Sequence, residues 1–413
     1  MTARSDKPML DTIALTLDQP QFDIERPELF SPSAQGLLSH PFYPLGARGY
    51  FSCMLNPLRG ELDAGRYMPR LTLTKRKGQV GFALTLRVEF SAPKLMFGNN
   101  FDELRSRDFE AVLSVLHGSL VERGIRVGED ELRGARVSAI HYSKNIAFTD
   151  FTTCSMIIGE LGLINLNGRL DLSHTDYRNE GHAIRYHANS FEIVFYDKMK
   201  DLQKARLSEK RAIEHDNGAQ FDLLMDRRAL PKQLEVLRME VRLGNRTKIR
   251  ALLRQIGHEA EPTFAALFDA SLARKVLLHF WHNVRSELPL VAQATARRPE
   301  DMFLALVAAM DGKGRPGKLL QCLGAAMLVG SVGWRGLGAI MGRHGSPRSW
   351  QRYKRELKAL DLGDWGGFSA LHQVGEALTL FEPVRMASYR RAAAGGTVGG
   401  GKARERVRWR RGK

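Results

Sequence analysis

The chain has 413 residues, of which 43% are hydrophobic and 26% charged, an ordinary balance for a globular protein. Its 62 lysines and arginines outnumber its 45 acidic residues and give a net charge of +17, which favours polyanionic partners, nucleic acid first and anionic membrane second. The three cysteines lie far apart and form no CxxC pair, which argues against a disulfide framework and against a zinc ribbon.

The first residues of the chain and its longest apolar run bear on its location. The N-terminal stretch MTARSDKPMLDT has no apolar signal core. The run Leu319–Trp334 is short, rich in glycine and soon followed by Arg335, so it predicts a buried helix with a turn and not a membrane span. The sequence therefore predicts a soluble intracellular protein.

Strands and helices are both predicted in the first part of the chain. MLDTIALTL predicts an opening strand, and RLTLT and VGFALTLRVEF on either side of KRKGQ predict a hairpin. Apolar residues recur at helical spacing from Phe109 to Leu120 and predict a helix that ends at Gly124. Val137–Asn145 predicts a strand and Cys154–Ile164 a helix, whereas RLDLSHTDYRNEGHAIRYHAN is interpreted as a loop.

Two more strands follow, each with two distinct faces. SFEIVFYDKMKDL has an apolar face, and its other face carries Glu192, Val194, Tyr196 and Lys198. LEVLRMEVRL likewise has a polar face made of Arg238, Glu240 and Arg242. Beyond residue 245 the patterns are helical. The predicted fold class is α+β, with an antiparallel sheet and helices on one face in residues 1–250, a helical domain in 251–380 and a disordered basic tail in 381–413.

The polar faces of these strands carry the groups that phosphoryl transfer needs. If the strands join one sheet, the side away from the helices collects Arg87, Glu89, His141, Glu192, Tyr196, Lys198, Arg238, Glu240 and Arg242. A tyrosine can attack a phosphodiester, and a neighbouring lysine or metal favours its phenolate. Carboxylates and a histidine can hold Mg²⁺ or Mn²⁺, and arginines match the geometry of phosphate.

Each of these residues also has an ordinary structural interpretation. Tyr196 beside Lys198 is compatible with a half-buried strand tyrosine, and the Arg-x-Glu-x-Arg pattern with a ladder of cross-strand ion pairs. His141 is compatible with a hydrogen-bonded histidine. His182 and His187 lie five apart in the predicted loop, a spacing that supports no metal site.

The order of the motifs resembles a known family. After MLDTIALTL come LRVEFSAPKLMFGNN, HYSKN, FYDKMKDL with its Tyr-x-Lys pair, and LRMEVRL with Arg-x-Glu-x-Arg. This series resembles the filamentous-phage gene II/X replication initiators and their plasmid relatives, over most of the chain. SPRSWQRYKREL near the end is similar to a basic helix of phage members.

The resemblance implies an enzyme that starts rolling-circle replication in the cytoplasm of a bacterial host. Such an enzyme nicks one strand of a double-stranded origin, stays on the 5′ phosphate through tyrosine and rejoins the displaced single strand. It implies Tyr196 as the nucleophile and Lys198 as its electrostatic helper. Metal ligands for Mg²⁺ or Mn²⁺ and phosphate-binding residues are implied as well: Glu89, His141 and Glu240 for the metal, and Arg87, Lys94, Arg238 and Arg242 for phosphate. The implied partners are a host helicase and the replicative polymerase, with no membrane.

Two departures from the family pattern concern the metal ligands. Many rolling-circle nickases carry a His-x-His pair, and no two of the twelve histidines here are two apart. Several phage members have Arg-Ile-Asp where this chain has Ala-Ile-His, which ends at His141. Tyr142 and Tyr186 are rival candidates for the nucleophile.

The C-terminal part offers a DNA-binding element. GWRGLGAIMGRHGSPRSWQRYKRELKAL predicts a helix, a turn and a second helix with Ser346 as N-cap and Pro347 at its first position. The second helix carries Arg348, Gln351, Arg352, Lys354 and Arg355, with Trp350 and Tyr353 as anchors, a composition that suits a helix against DNA or a solvated basic helix. The segment from Arg385 to the end has ten basic residues and one acidic residue and is typical of salt-sensitive phosphate binding.

Three functions fit these patterns. The first is the rolling-circle initiator, and the second is a non-enzymatic DNA-binding regulator that uses the helix-turn-helix and the tail. An RNA-binding protein is less favoured, since the aromatic strand motifs of the common RNA-binding modules are missing.

Overall fold

A computed structural model of the chain describes residues 10–39, 49–58, 60–61, 64, 66–78, 81–164, 166, 174–201, 234–286, 298–344, 346–360 and 370–385. The fold is mixed α+β with a large antiparallel sheet and many helices, as the sequence predicts. The predicted basic tail lies largely outside the described residues.

Nine strands form one sheet in which all neighbours are antiparallel, in the order β3-β4-β5-β1-β7-β11-β10-β9-β8. A short second sheet pairs β2 with β6. The strands are β1 (Leu10–Asp18), β2 (Phe22–Ile24), β3 (Tyr50–Leu55), β4 (Arg70–Lys77), β5 (Phe82–Ser91), β6 (Ile125–Val127), β7 (Arg136–Phe148), β8 (His174–Arg178), β9 (Ala183–His187), β10 (Phe191–Asp197) and β11 (Glu235–Leu243).

Helices lie both between the strands and after the last strand in the described ranges of the chain. Those that precede β11 are α1 (Gln35–Ser39), α2 (Ala92–Phe97), α3 (Phe109–Glu122), α4 (Glu129–Arg133) and α5 (Cys154–Gly162). Those that follow it are α6 (Arg246–Gln255), α7 (Phe264–Leu267), α8 (Ala270–Arg285), α9 (Pro299–Ala309), α10 (Pro316–His344), α11 (Pro347–Lys358) and α12 (Ala370–Leu380). The helical character predicted beyond residue 245 is therefore confirmed for the described residues.

Hydrophobic residues of the sheet and of the helices on both sides of residue 250 share one buried core. Helix α8 packs on the apolar face of β10, where the ring centre of Phe280 lies 5.3 Å from that of Phe191 and the ring centre of Trp281 lies 6.2 Å from that of Phe195. These rings stand on the face that strand alternation predicts to be apolar. The predicted domain boundaries at residues 250 and 380 remain predictions.

The segment interpreted as a loop contains two strands, β8 and β9, so that prediction is wrong. The two strands pair with each other, and β9 also pairs with β10. In β9 the apolar residues alternate, with Ile184 and Tyr186 buried in the core. The alternation is only five residues long and is surrounded by polar residues, which is why the sequence suggests a loop.

Helix α10 contains the turn predicted within the apolar run. Gly333 has a left-handed backbone (φ 71°), and a Cβ there would lie 2.7 Å from the carbonyl oxygen of Leu163. By length and composition α10 is the one helix of the described ranges that could cross a membrane. Leu319, Cys322 and Trp334 are buried in the core, whereas Leu320 and Leu328 on the same helix are exposed. Helix α11 then begins at Pro347, as predicted.

Candidate active site

The centre of the sheet brings the predicted nucleophile to a buried carboxylate. Tyr196 on β10 stands directly opposite Arg238 on β11. Its phenol donates a hydrogen bond of 2.7 Å to Oε1 of Glu240, two residues further along β11. Tyr196 is 8% exposed and belongs to a small buried cluster with Ala183 and Val194, separate from the main core. The polar face is therefore closed at this point and not a solvated surface.

Glu240 is held between two arginines. Its Oε2 lies 2.6 Å from Nη2 of Arg242 and accepts from Nε of the same residue at 2.8 Å, while its Oε1 lies 3.6 Å from Nη1 of Arg238. Burial opposes ionisation, but Arg242 and Arg238 outweigh burial and keep the pKa of Glu240 well below its usual range. Glu240 is thus ionised. It accepts the hydrogen bond that orients the phenol, but its low pKa makes it a weak base for removing the phenol proton.

Arg238 is a fully buried cation of the site, with 1% of its surface exposed. Its Nε donates to Oδ1 of Asn145 at 2.7 Å, its Nη2 to the carbonyl oxygen of Asn100, and its Nη1 to Oδ2 of Asp11 at 3.2 Å. All three nitrogens of the guanidinium thus contact the protein. In this arrangement Arg238 neutralises Glu240 and Asp11, and the phosphate contact predicted for it remains a prediction.

Lys198 lies in the site, but on a different secondary-structure element from the strand that the sequence predicts. Strand β10 ends at Asp197, and a helical turn covers 198–201, so Lys198 does not continue the strand's alternation. Its Nζ still lies 5.8 Å from the centre of the Tyr196 ring, and the residue is 1% exposed. Burial, followed by repulsion from Arg238, lowers the pKa of Lys198 to about 7.

The phenol of Tyr196 is protonated in this environment. Burial comes first and the negative charge of Glu240 second among the causes that raise the pKa of Tyr196 well above its ordinary value. Arg238 acts in the opposite sense but does not outweigh them. Ionisation of the phenol therefore requires the proton to pass to a nearby group or a further positive charge to arrive.

The two rival tyrosines lie on the other face of the sheet. Tyr142 donates to the carbonyl oxygen of Leu267 at 3.2 Å, and Tyr186 to that of Leu161 at 2.7 Å. Both residues are part of the hydrophobic core. Of the three candidates, Tyr196 is the one that contacts the charged cluster.

The three predicted metal ligands share the polar side of the sheet, but among the described residues their ligand atoms do not all lie within 4.8 Å of one another. His141 stands opposite Arg242, and burial followed by Arg242 lowers its pKa, so the ring is neutral as a ligand requires. Glu89 lies on β5 with an ion pair of 2.7 Å to Arg87, and β1 separates β5 from β7. Both oxygens of Glu240 already contact Tyr196 or arginine. The ligand types suit Mg²⁺ or Mn²⁺, and Glu240 and Glu89 both lie near enough to His141 to act on its pKa, in the direction that raises it. The metal remains a prediction.

Among the described residues, one group brings three ligand atoms within 4.8 Å of one another, and it is a different one: Cys154, Asp197 and Glu235. Its carboxylates accept backbone hydrogen bonds, Glu235 from Cys154 N at 2.6 Å and Asp197 from Lys200 N at 2.9 Å. Both carboxylates thus serve the start of a helical turn, which is a structural role.

The remaining predicted phosphate ligands lie on three elements of the fold, α2, β5 and α11. Lys94 on α2 is buried, lies 5.8 Å from the Tyr67 ring centre and is among the charges that lower the pKa of Lys198. Arg87 is exposed beside Glu89. The others belong to α11, where Lys354 is half-buried and the rest are exposed: Arg348, Gln351, Arg352 and Arg355.

Helix α11 is anchored through its aromatic residues. The Trp350 ring centre lies 6.2 Å from that of Trp334, and the hydroxyl of Tyr353 donates to the carbonyl oxygen of Gln321 at 2.7 Å. Lys354 lies over the Trp334 ring at 5.6 Å. The anchors hold α11 against α10 and leave its arginines facing outward.

Sequence reasoning missed Asp11 and Asn145 as members of the site. Asp11 is buried on β1, where it accepts from the Ser91 hydroxyl at 2.9 Å and from Arg238. Asn145 orients the same arginine from β7. A signal for Asp11 is present in the sequence, because it is an acidic residue inside the apolar strand pattern MLDTIALTL. A charge buried in such a strand needs a partner of opposite charge.

No family model, curated protein or solved structure matches the chain.

Proposed function

We propose that the protein initiates rolling-circle DNA replication by nicking one strand of a double-stranded phage or plasmid origin through Tyr196. The observation that carries the proposal is the buried Tyr196 phenol, hydrogen-bonded to Glu240 and surrounded by Lys198, Arg238 and Arg242. A phenol, a lysine of pKa about 7 and two arginines form a set suited to attack on a phosphodiester.

The chemistry follows from the properties of these side chains. Lys198, partly neutral near pH 7, takes the phenol proton and becomes an ammonium beside the phenolate. The phenolate oxygen attacks phosphorus, the bond from phosphorus to the 3′ oxygen breaks, and the leaving oxygen takes the proton back from Lys198. The product is a 5′-phosphotyrosine and a free 3′ hydroxyl. Attack of a 3′ hydroxyl on the phosphotyrosine reverses these steps and rejoins the displaced strand.

DNA binding is assigned to two basic elements. The exposed residues of α11 (Arg348, Gln351, Arg352 and Arg355) lie against the duplex, and the tail adds contacts that do not depend on sequence. The proposal includes Mg²⁺ or Mn²⁺ in the reaction, a host helicase and polymerase as partners, and the bacterial cytoplasm as the location.

Relaxation of supercoiled DNA tests the proposal. The substrate is a plasmid that carries the genomic region next to this gene, incubated with Mg²⁺ or Mn²⁺. We expect the wild type to relax it, Tyr196→Phe to lose at least about a thousandfold in rate, and Tyr186→Phe to retain activity. Equal rates for wild type and Tyr196→Phe would refute the role of Tyr196.

The outward-facing arginines of α11 favour a second candidate, a DNA-binding regulator without enzymatic activity. It predicts sequence-specific binding in a gel-shift assay, weakened by Arg352→Ala and Arg355→Ala together, with no relaxation in either metal. The matched control is Arg254→Ala, an exposed arginine on α6.

A further inference from the structure

A row of polar side chains extends the site towards the edge of the sheet. His187 on β9 stands directly opposite Glu192 on β10, Glu192 opposite Arg242 on β11, and Arg242 opposite His141 on β7. The four residues therefore occupy one level of four neighbouring strands. Cross-strand neighbours in direct register are close enough for their side chains to interact.

The contacts within the row are short. His187 Nδ1 lies 2.9 Å from Oε1 of Glu192, and His187 Nε2 lies 3.2 Å from Oδ2 of Asp176 on β8. The other oxygen of Glu192 lies 3.4 Å from Nη1 of Arg242 and 3.9 Å from Nη1 of Arg185. The His187 side chain is only 12% exposed. Both oxygens of Glu192 are thus held by cationic or donor groups in a partly buried environment.

Arg242 links this row to the nucleophile. Its Nε and Nη2 contact Glu240, and its Nη1 contacts Glu192. Because the guanidinium group is planar and rigid, two carboxylates on different edges fix its orientation. Glu240 in turn receives the hydrogen bond of Tyr196. One chain of contacts therefore runs from Asp176 through His187, Glu192, Arg242 and Glu240 to the phenol.

We propose that Glu192 and His187 are positioning residues for Tyr196. They hold Arg242 so that it turns Glu240 towards the phenol, and neither of them touches the reacting phosphate. A test of this proposal by nicking activity rests on the proposed function, whereas a test by protein stability does not.

Two variants of His187 with amide side chains distinguish the roles of its two ring nitrogens. The side-chain nitrogen of asparagine can occupy the place of Nδ1, and that of glutamine the place of Nε2. His187→Asn keeps a donor for Glu192, whereas His187→Gln keeps only the contact towards Asp176. We expect His187→Asn to nick within about twofold of the wild-type rate and His187→Gln to be about tenfold slower, with equal DNA affinity. Equal rates for the two variants, or a loss that lies only in affinity, would overturn the proposal.

A second measurement needs no activity. The coupling between Tyr196→Phe and Glu240→Gln is measured by urea unfolding in the wild-type background and in His187→Gln. In the wild-type background we expect a coupling of about fivefold in the folding equilibrium constant, which is the size of one net hydrogen bond. In His187→Gln, which lacks the Nδ1 donor, we expect the coupling to fall below about twofold. An unchanged coupling overturns the positioning role, even if the protein nicks DNA. A reduced coupling in a protein that does not nick supports positioning while the proposed function fails.

Discussion

At the scale of single residues, the site is a set of ionisable groups that the fold keeps away from water. Tyr196, Lys198, Arg238 and Glu240 are all buried, and each is ordered by another member of the set. Burial is costly for every one of these groups. That cost is visible in the lowered pKa of Lys198 and in the raised pKa of Tyr196.

The lowered pKa of Lys198 makes stability depend on pH. Between about pH 7 and 10.5 the unfolded chain binds a proton at Lys198 that the folded chain does not, so the free energy of unfolding rises with pH in that window. We expect Lys198→Met to be more stable than the wild type at pH 7 and to remove a slope of about 1 kcal/mol per pH unit. Urea unfolding at several pH values measures it. Lys313→Met, at an exposed position, is the control, and equal slopes in wild type and Lys198→Met would contradict the account.

The buried arginine provides a prediction of the opposite sign. Arg238→Met removes a cationic partner from the buried carboxylates of Asp11 and Glu240, and we expect it to lower the free energy of unfolding by about 3–5 kcal/mol. Arg254→Met on the surface of α6 should change it by less than about 0.5 kcal/mol. A small effect of Arg238→Met in the same urea titration would mean that the carboxylates are not held by this arginine.

At the scale of elements, the sequence predicts long periodic pieces well, and it predicts their ends where a recognisable start or stop residue is present. The hairpin of β4 and β5, helix α3 with its stop at Gly124 (φ 70°) and the start of α11 are where the patterns place them. These pieces have long periodic runs and recognisable stop residues. The end of β10 at Asp197 could not be predicted, because the alternation of side chains continues past the point where the backbone leaves the sheet.

The short strands β8 and β9 were missed for a related reason. Their stability comes from pairing with β10 and from the burial of residues such as Tyr186, which are tertiary effects. The sequence therefore predicts a loop around His187. The register of β9 against β10, which no single sequence reveals, places it opposite Glu192.

The turn inside α10 depends on one glycine. Gly333 has φ 71°, and a Cβ there meets the Leu163 carbonyl at 2.7 Å, whereas Gly324 in the same helix has no atom within 4 Å of the added Cβ. We expect Gly333→Ala to destabilise the protein by about 2 kcal/mol or more through strain and overlap. Gly324→Ala should be neutral or slightly stabilising, since alanine favours a helix. Thermal unfolding compares the two, and equal melting temperatures would contradict the role of Gly333.

At the scale of the whole molecule, charge is the property that the sequence alone defines. Of the net charge of +17, the segment Arg385–Lys413 carries +9. This excess of positive charge predicts polyanionic partners from composition alone, without any structure. The assembly of the site from β1, β7, β10 and β11 is not predictable in that way, because it depends on which strands are neighbours.

The tail should contribute to DNA binding mainly through its charge. We expect a chain that ends at Arg385 to bind duplex DNA with a weaker salt dependence. The negative slope of log K against log salt should become shallower by about 0.9 for each lost phosphate contact. Nicking at saturating DNA should remain within about twofold of the wild-type rate. A tail of full length whose arginines and lysines are replaced by glutamine should behave like the truncation. An unchanged slope in both would exclude the tail from binding.

The proposed function depends on a covalent bond between Tyr196 and DNA. The most direct measurement incubates the full chain and Mg²⁺ or Mn²⁺ with a nicking substrate that carries labelled phosphate, then digests the product and maps the labelled peptide by mass spectrometry. We expect one phosphotyrosine, on Tyr196, absent from Tyr196→Phe and present in Tyr186→Phe. Labelled phosphate on another residue, or DNA binding with no adduct in either metal, would contradict it.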